Sequence, residues 1–389
     1  MGDAYIVGAV RTPTGRRGGS LSGIHPIDLG AFILGELVER IDADPAAIED
    51  AIFGCVDQVG EQAANIGRNC VLAAGFPESV PATTVDRQCG SSQQAFHFAA
   101  QAVISGVHDV VIAAGVESMS RVPIGASTKA GPKSDTGLPY SPEMKARYPG
   151  VRWSQFEGAE MIAQKWGLNR SDLDAFGLRS HERAARATEE GRFEREIAPI
   201  EVEIDGRIEL FGRDEGIRHD ASAEAMARLD GLSDANLLTA GTSSQISDGT
   251  AAILLANDTG LERLGVKPRA RVHSMALAGD DPVMMLSAPM PATRTALDKG
   301  DLKIDDIDLY EVNEAFASVP LAWVRDLGAD EDKLNVNGGA IALGHPLGAT
   351  GVKLMTTLLH QLEHSGGRFG LQTMCEGGGL ANATIIEAL

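Results

Sequence analysis

Cysteine is scarce in this chain, with four in 389 residues: Cys55, Cys70, Cys89 and Cys375. That is too few to staple a chain of this length into a disulfide scaffold, so folding must rest on a hydrophobic core. Aromatic residues make up only 5%, and no apolar run approaches the roughly 18–20 residues that span a bilayer. Positive charge is also short, 34 Lys and Arg against 54 Asp and Glu, a net charge of −20. This balance excludes a nucleic-acid binder, which needs a basic footprint to neutralise phosphates. No CxxC, HExxH or HxH spacing occurs, so no metal centre is expected. The opening apolar stretch Tyr5–Val10 is too short for a secretory leader and runs into Arg11, Arg16 and Arg17. Ile6 stands where myristoylation would need Ser or Thr, and the final Glu387-Ala388-Leu389 is not a peroxisomal address. The expectation is a cytoplasmic protein with no membrane partner.

Glycine, by contrast, is abundant: 45 residues, many clustered as in Gly377-Gly378-Gly379 and around Gly344, Gly348 and Gly351. Such clusters suit tight turns and close approach of backbone to a ligand. At roughly 150 residues per domain the length suggests two or three units. Strand and helix patterns alternate from Ala4 to Ala114. Strands are expected at 4–10, 52–59, 83–86 and 109–114, with helices at 26–41, 65–74 and 91–104. Alternation of this kind indicates an α/β fold. Residues 121–152 show no sustained periodicity and read as a long functional loop. Helices follow at 158–166 and at 172–190, the latter with Ser171 as N-cap, then a hairpin over 200–210 turning at Asp205-Gly206. The α/β pattern returns near residue 240. Strand 83–86, the turn holding Cys89, helix 91–104 and strand 109–114 are echoed by 335–337, the turn holding His345, helix 349–362 and strand 369–374. The echo points to an internal duplication.

Several residues could carry chemistry. Cys89 sits just before an apolar helical run, where backbone N–H groups and the helix dipole favour a thiolate; it reads equally as a small buried hydrophobe. His345, in Gly344-His345-Pro346-Leu347-Gly348-Ala349-Thr350-Gly351, stands at a helix entrance with Pro346 in the first turn, positioned as a base or donor, or as a turn cap. Cys375 ends a strand before Glu376-Gly377-Gly378-Gly379, whose N–H groups could face an oxyanion; taken alone it is a buried cysteine beside a tight turn. Asn313, in Val312-Asn313-Glu314-Ala315-Phe316, reads as the N-cap of a helix over 314–325. Ser244 lies in a polar segment that suits a turn or a ligand contact. The Arg-rich stretch from Arg179 to His219 reads as a salt-bridged helix face, with Arg218 the one position open to an anionic ligand.

Taken together and in this order, Val85-Asp86-Arg87-Gln88-Cys89-Gly90-Ser91-Ser92-Gln93-Gln94, Ser243-Ser244-Gln245-Ile246-Ser247-Asp248-Gly249, Asn-Glu-Ala-Phe, Gly-His-Pro-Leu-Gly-Ala-Thr-Gly and Cys-Glu-Gly-Gly-Gly closely resemble the thiolases over essentially the whole chain. Within that family the chain resembles the actinobacterial thiolases of steroid ring degradation. The resemblance implies a five-layered αβαβα fold of two duplicated halves, 1–121 plus 247–268 and 269–389, with a loop domain at 122–246 covering coenzyme A. It implies a 3-ketoacyl-CoA substrate, CoA as co-substrate with no permanently bound cofactor, and a homodimer or homotetramer. It also implies roles: Cys89 as nucleophile, His345 as its activator, and Asn313 as holder of an oxyanion-hole water. Cys375 would be the acid/base on carbon, Gly377 a second oxyanion donor, and Ser244 and Arg218 CoA contacts. A biosynthetic acetoacetyl-CoA thiolase is the alternative direction of the same chemistry. Two departures from the usual thiolase pattern stand out: the nucleophile segment, with Asp86 where Asn is usual and Gly90-Ser91-Ser92 after the Cys, and the 122–152 loop, which does not match the short-chain biosynthetic thiolases.

Overall fold

The computed structural model describes residues 2–204, 206–233 and 235–389. The chain opens with β1 (Tyr5–Arg11), β2 (Gly15–Arg16), α1 (Pro26–Arg40), β3 (Asp50–Gly54), α2 (Ile66–Ala73), β4 (Ala82–Val85), α3 (Ser91–Ser105) and β5 (Val110–Ser118). A mostly helical stretch follows with α4 (Ala126–Lys133), α5 (Pro142–Arg147), α6 (Gln155–Lys165), α7 (Arg170–Glu189), β6 (Ile200–Ile204), β7 (Arg207–Phe211) and α8 (Ala223–Ala227). Then come β8 (Ser247–Ala256), α9 (Asp258–Leu264), β9 (Ala270–Gly279), α10 (Pro289–Gly300), β10 (Leu309–Val312), α11 (Ser318–Leu327), α12 (Ala340–Leu343), α13 (Thr350–Ser365), β11 (Phe369–Glu376) and β12 (Leu380–Ala388).

The duplication is visible in the strand order β10-β11-β12-β9-β1-β8-β5-β3-β4. β3 runs parallel to β5, which is antiparallel to β8; β10 runs parallel to β11, which is antiparallel to β12. The halves join where β1 pairs with β9 through Tyr5–Arg271 and Ile6–Ala270. β5 and β8 are buried along their whole length, as strands covered on both faces require, and their sequences are accordingly near-continuous apolar runs. Three clusters make the five layers. α1 and α2 cover the first half-sheet. α3 and α13 pack between the half-sheets, through Phe96, Val103, Met355 and Leu359. α10 and α11 cover the second half-sheet around Trp323 and Tyr310.

Some local expectations are corrected. The strand expected at 335–337 shrinks to one parallel bridge, Tyr310 with Leu334. Asn335, left-handed at φ 44°, instead pairs its amide with both backbone groups of Val312, at 2.9 Å each. The helix after Asn313 begins only at Ser318, so Asn313 is not its cap. The Asn313 N–H extends the ladder to the Thr373 carbonyl (3.1 Å), and Ala317 N–H donates to the Thr242 carbonyl (2.9 Å), keeping 313–317 out of a helix. α7 is capped by Asn169 in a reciprocal capping box rather than by Ser171, whose hydroxyl donates to Asn169 Oδ1. The loop at 121–152 contains the short helices α4 and α5. The hairpin at 200–211 is present; Asp205 of its expected turn lies outside the described residues.

A buried charge network ties the segment between β5 and β8 to both halves. Arg11, wholly buried, donates to Glu196 (2.6 Å) and forks onto Asp214 (2.8 and 3.0 Å). Thr357 of α13 donates to the same Glu196 oxygen at 3.0 Å. The Arg11 charge holds the Asp214 carboxyl below its usual range, while burial leaves that of Glu196 above it. The Arg-rich stretch is structural at several positions, yet not merely as a salt-bridged helix face, because its arginines reach across to other elements. Arg183 and Arg192 hold the Leu334 carbonyl and the Asn337 side chain, and Arg179 pairs with Glu331.

Candidate active site

The first turns of α3 and α13 abut, with the Val352 N–H donating to Ser92 Oγ at 3.0 Å. Cys89, just before α3, and His345, just before α13, are therefore presented at the same end of the middle layer. Cys89 is lifted out of the helix by a tight turn in which Gln88 adopts a left-handed φ of 50°. Asp86 Oδ1 accepts from the Gln88 N–H (2.7 Å), and Ser91 Oγ accepts from the Arg87 N–H (2.9 Å) and donates to the Gln88 carbonyl (2.6 Å). Asp86 thus has a turn-building role here.

The Cys89 thiol is half-buried and pushed up to about 12, first by burial and then by Glu376 once that acid is ionised. The helix end does not offset these, which corrects the expectation of a ready thiolate: Cys89 rests as a thiol and needs a base. Cys375 is fully buried, and burial, Cys89 and Glu376 raise its thiol well above the ordinary value. The two thiols are close enough for charge on one to oppose charge on the other. Cys55 and Cys70 lie buried in the first half's outer core, their thiols raised mainly by burial. All four cysteines are free.

His345 is buried, and burial together with Lys353 lowers its pKa to about 3, so the imidazole is neutral. Its Nδ1 lies 2.6 Å from Thr350 Oγ1, and that hydroxyl donates to the Pro346 carbonyl at 2.8 Å. With the hydroxyl proton used there, Nδ1 must carry the hydrogen and Nε2 the lone pair. Nε2 faces Asn313 Nδ2 at 3.4 Å, while Asn313 Oδ1 has no partner among the described residues. The arrangement makes Nε2 a base with an unsatisfied amide oxygen beside it. Pro346 caps a 3-10 turn (Leu347–Ala349) ahead of α13 rather than sitting in that helix.

Residues that sequence reasoning missed hold the His345 loop. Lys353 Nζ donates to the carbonyls of Leu343 (3.0 Å) and Gly344 (3.1 Å). Glu117, buried, accepts from the N–H groups of Val56 (2.8 Å) and Gly348 (2.9 Å) and from Gln62 Nε2 (2.7 Å). Glu314 accepts from Ser180 Oγ, Asn335 Nδ2 and the Ile341 N–H. Glu314 lay in a quoted motif and was open to discovery there; nothing local to Glu117 sets it apart from an ordinary strand-end acid.

The turn after Cys375 clasps the nucleophile turn: a Cβ on Gly377 would stand 3.1 Å from Gln88 Oε1. Gly378 and Gly379, at φ 90° and 80°, make the reversal into β12. Arg218 is exposed and lies between two concavities, of about 380 and 210 Å³. The larger is lined by Arg16, Glu215, His219 and Gln245, the smaller by His181, Ser222, Met226 and Gly241. Ser244, half-buried, is strapped by its N–H to the Ala315 carbonyl at 3.0 Å. It sits between the Gly241 and Gln245 cavity walls and the Asn313 loop, and neither cavity is lined by Cys89 or Cys375. No group of three or more potential metal ligands occurs among the described residues.

Sequence comparison decides the lineage of this geometry. Residues 4–259 match the thiolase N-terminal domain and residues 266–388 the thiolase C-terminal domain. The chain belongs to the thiolase family. It is 54% identical over 391 residues to the steroid 3-ketoacyl-CoA thiolase FadA6 of Mycobacterium tuberculosis, covering all of this chain and 95% of that protein. It is 44% identical over 395 residues to a 3-ketoacyl-CoA thiolase of Escherichia coli, covering both chains fully. The crystal structure of the Bacillus anthracis acetyl-CoA acetyltransferase matches with a TM-score of 0.89 at 35% identity, over 100% of this chain and 99% of that one. As a thiolase the chain is an acyltransferase, and the expected five-layered fold holds. No helix among the described residues is long and apolar enough to cross a membrane.

Proposed function

We propose that this thiolase cleaves a 3-ketoacyl-CoA with CoA into acetyl-CoA and a shortened acyl-CoA, in the degradation of steroid rings or side chains. The observation that carries the reading is the pair of mutually opposing thiols, Cys89 and Cys375, together with a neutral His345, its lone pair on Nε2, that precedes α13 as Cys89 precedes the abutting α3.

Cys89 gives its proton to His345 Nε2 and its sulfur attacks the keto carbon. The new Nε2–H and a water held by Asn313 Oδ1 hold the thioester oxygen, onto which charge moves as the carbon–carbon bond breaks. Collapse breaks the bond between C2 and C3, and the acetyl-CoA carbanion takes the Cys375 proton. Cys375, now a thiolate, removes the thiol proton of incoming CoA. CoA sulfur takes the acyl group from Cys89, and the departing Cys89 thiolate recovers its proton from His345. The N–H groups of Cys89 and Gly377 would hold the oxyanion of this second step. One thiol carries the acyl group and the other manages a proton on carbon, so neither is redundant. Ser244 and Arg218 would contact CoA, along the two cavities that Arg218 divides.

Residues 122–246 form the CoA-covering unit in this reading, with 1–121 plus 247–268 and 269–389 as the two halves. The open outer edge of β4, the end of the strand order, supports a homo-oligomer, and four unpaired cysteines support a cytoplasmic setting. The steroid assignment rests on the 54% relative and on the Asp86–Gln94 segment. The full-length likeness to an acetyl-CoA acetyltransferase favours the second reading, condensation of two acetyl-CoA. Comparing kcat/KM for acetoacetyl-CoA and for branched or ring-derived 3-ketoacyl-CoA esters separates the two. Preference for the bulky esters supports the degradative reading; preference for acetoacetyl-CoA overturns it.

A further inference from the structure

The reaction scheme leaves one acid beside the cysteines unused. Glu376 is fully buried, and neither carboxyl oxygen has a partner of hydrogen-bond geometry among the described residues. No ion pair reaches it; only the more distant Arg87 charge and the Asn382 N–H favour its ionised form. Its side chain lies directly on Gly90. A Cβ there would stand 2.5 Å from Glu376 Cδ and 3.0 Å from Cγ, and closer still to Oε1. Gly90 belongs to the departure of the nucleophile segment from the usual thiolase pattern, and this contact gives it a physical reason. The residue following the nucleophile has no side chain because the Glu376 carboxyl fills that space.

We propose that Glu376 is a positioning residue that supports the nucleophile turn as a neutral carboxylic acid packed in the space left by Gly90, so that its ionisation shuts the site. The inference rests on the thiolase reading and names a control on that same site. An uncharged acid packs there at little electrostatic cost; a buried carboxylate with no partner does not. The charged groups around it offer little relief. Arg87 and Asp86 come from the nucleophile turn, Cys89 and Cys375 oppose further negative charge, and Glu117 adds to the field at Cys89. His97 of α3 is neutral, its pKa lowered to about 3 by burial, and it is hydrogen-bonded to Thr384 and Asn382 of β12. Burial raises Glu376 itself to about 8. The acid is therefore neutral at pH 7, and rising pH places a carboxylate beside both thiols, opposing Cys89 deprotonation.

The test is the single-turnover rate of Cys89 acylation, read by intact mass, across pH 6–10, each variant normalised to its own rate at pH 7. The expected wild-type rate falls about tenfold by pH 9, one unit above the Glu376 midpoint. Glu376→Gln, neutral at every pH, is expected to lose that alkaline fall. The same alkaline limb in both proteins, with both folded by circular dichroism at each pH, overturns the proposal. Iodoacetamide labelling of Cys89 over the same range needs no acyl-CoA, so it separates this failure from failure of the thiolase reading. Labelling that rises more steeply with pH in Glu376→Gln than in wild type supports the proposal; identical slopes overturn it. Should Glu376→Gln misfold, Gly90→Ala alone and combined with Glu376→Ala give a second arm. The glycine change is expected to slow acylation sharply in the wild-type background and much less once the carboxyl is gone. Equal slowing in both backgrounds overturns the packing claim.

Discussion

Replacing Thr350 by Val removes one hydroxyl that does two things: it accepts from His345 Nδ1 at 2.6 Å and donates to the Pro346 carbonyl at 2.8 Å. Valine is nearly isosteric, so packing is kept while both partners are left unpaired in a buried site. A stranded buried donor or acceptor costs about 1–3 kcal/mol, which sets the expected loss of stability. The catalytic effect is separable. When His345 takes the Cys89 proton its ring becomes charged, and the bond to Thr350 strengthens from about 1 kcal/mol for a neutral pair toward about 2 kcal/mol for a charged one. That gain of about 1 kcal/mol exists only when the proton has moved, so its loss slows acylation about fivefold. Thr350→Ser keeps the hydroxyl and is expected to restore most of the rate. Stopped mixing with acyl-CoA and intact-mass sampling gives the rate; nitrogen-15 NMR of labelled histidine reads the tautomer. A folded Thr350→Val protein that acylates at the wild-type rate refutes the support of the charged imidazole by Thr350, and a wild-type ring protonated on Nε2 instead of Nδ1 refutes the assignment of Nε2 as the base.

Three other outcomes follow from the same structure. Cys375→Ser is expected to slow exchange of acetyl-CoA α-protons into D2O by at least about a hundredfold, while Cys89 still accepts an acetyl group; unchanged exchange would remove Cys375 from carbon chemistry. Arg11→Met strands Glu196 and Asp214 in the interior and is expected to lower unfolding stability by about 3–5 kcal/mol in urea, with less than about 1 kcal/mol counting against the network. Arg218→Ala, at an exposed position, is expected to raise the KM for CoA a few-fold and to make it less sensitive to salt, leaving acyl transfer from a saturated enzyme intact. A KM unmoved at low salt would take Arg218 out of the CoA site.

The legible part of the sequence was the part governed by local rules. Helix α1 follows from Leu29, Ile33 and Leu37 at helical spacing with Pro26 in its first turn, and β5 follows from its apolar run. Cys89, His345 and Cys375 were legible because each sits at or near the end of an element with a glycine within two residues. The illegible part is set by contacts distant in sequence. Asn313 looks like a cap until the Thr373 carbonyl claims its N–H. A strand near 335 looks plausible until the Asn335 side chain replaces the ladder. The charge state of Cys89 depends on Glu376, nearly three hundred residues away in sequence, and on burial that no local pattern states. Lys353 reads as a surface residue of an amphipathic helix, yet it is buried because two carbonyls ahead of His345 need donors.

The central claim is a covalent cycle through Cys89. Its most direct test is intact-mass measurement of wild type and Cys89→Ala after mixing with a 3-ketoacyl-CoA, before and after adding CoA. The account predicts an acyl adduct on wild type alone, discharged by CoA. An adduct on Cys89→Ala, or no adduct with acetoacetyl-CoA and with a branched ester alike, would contradict it.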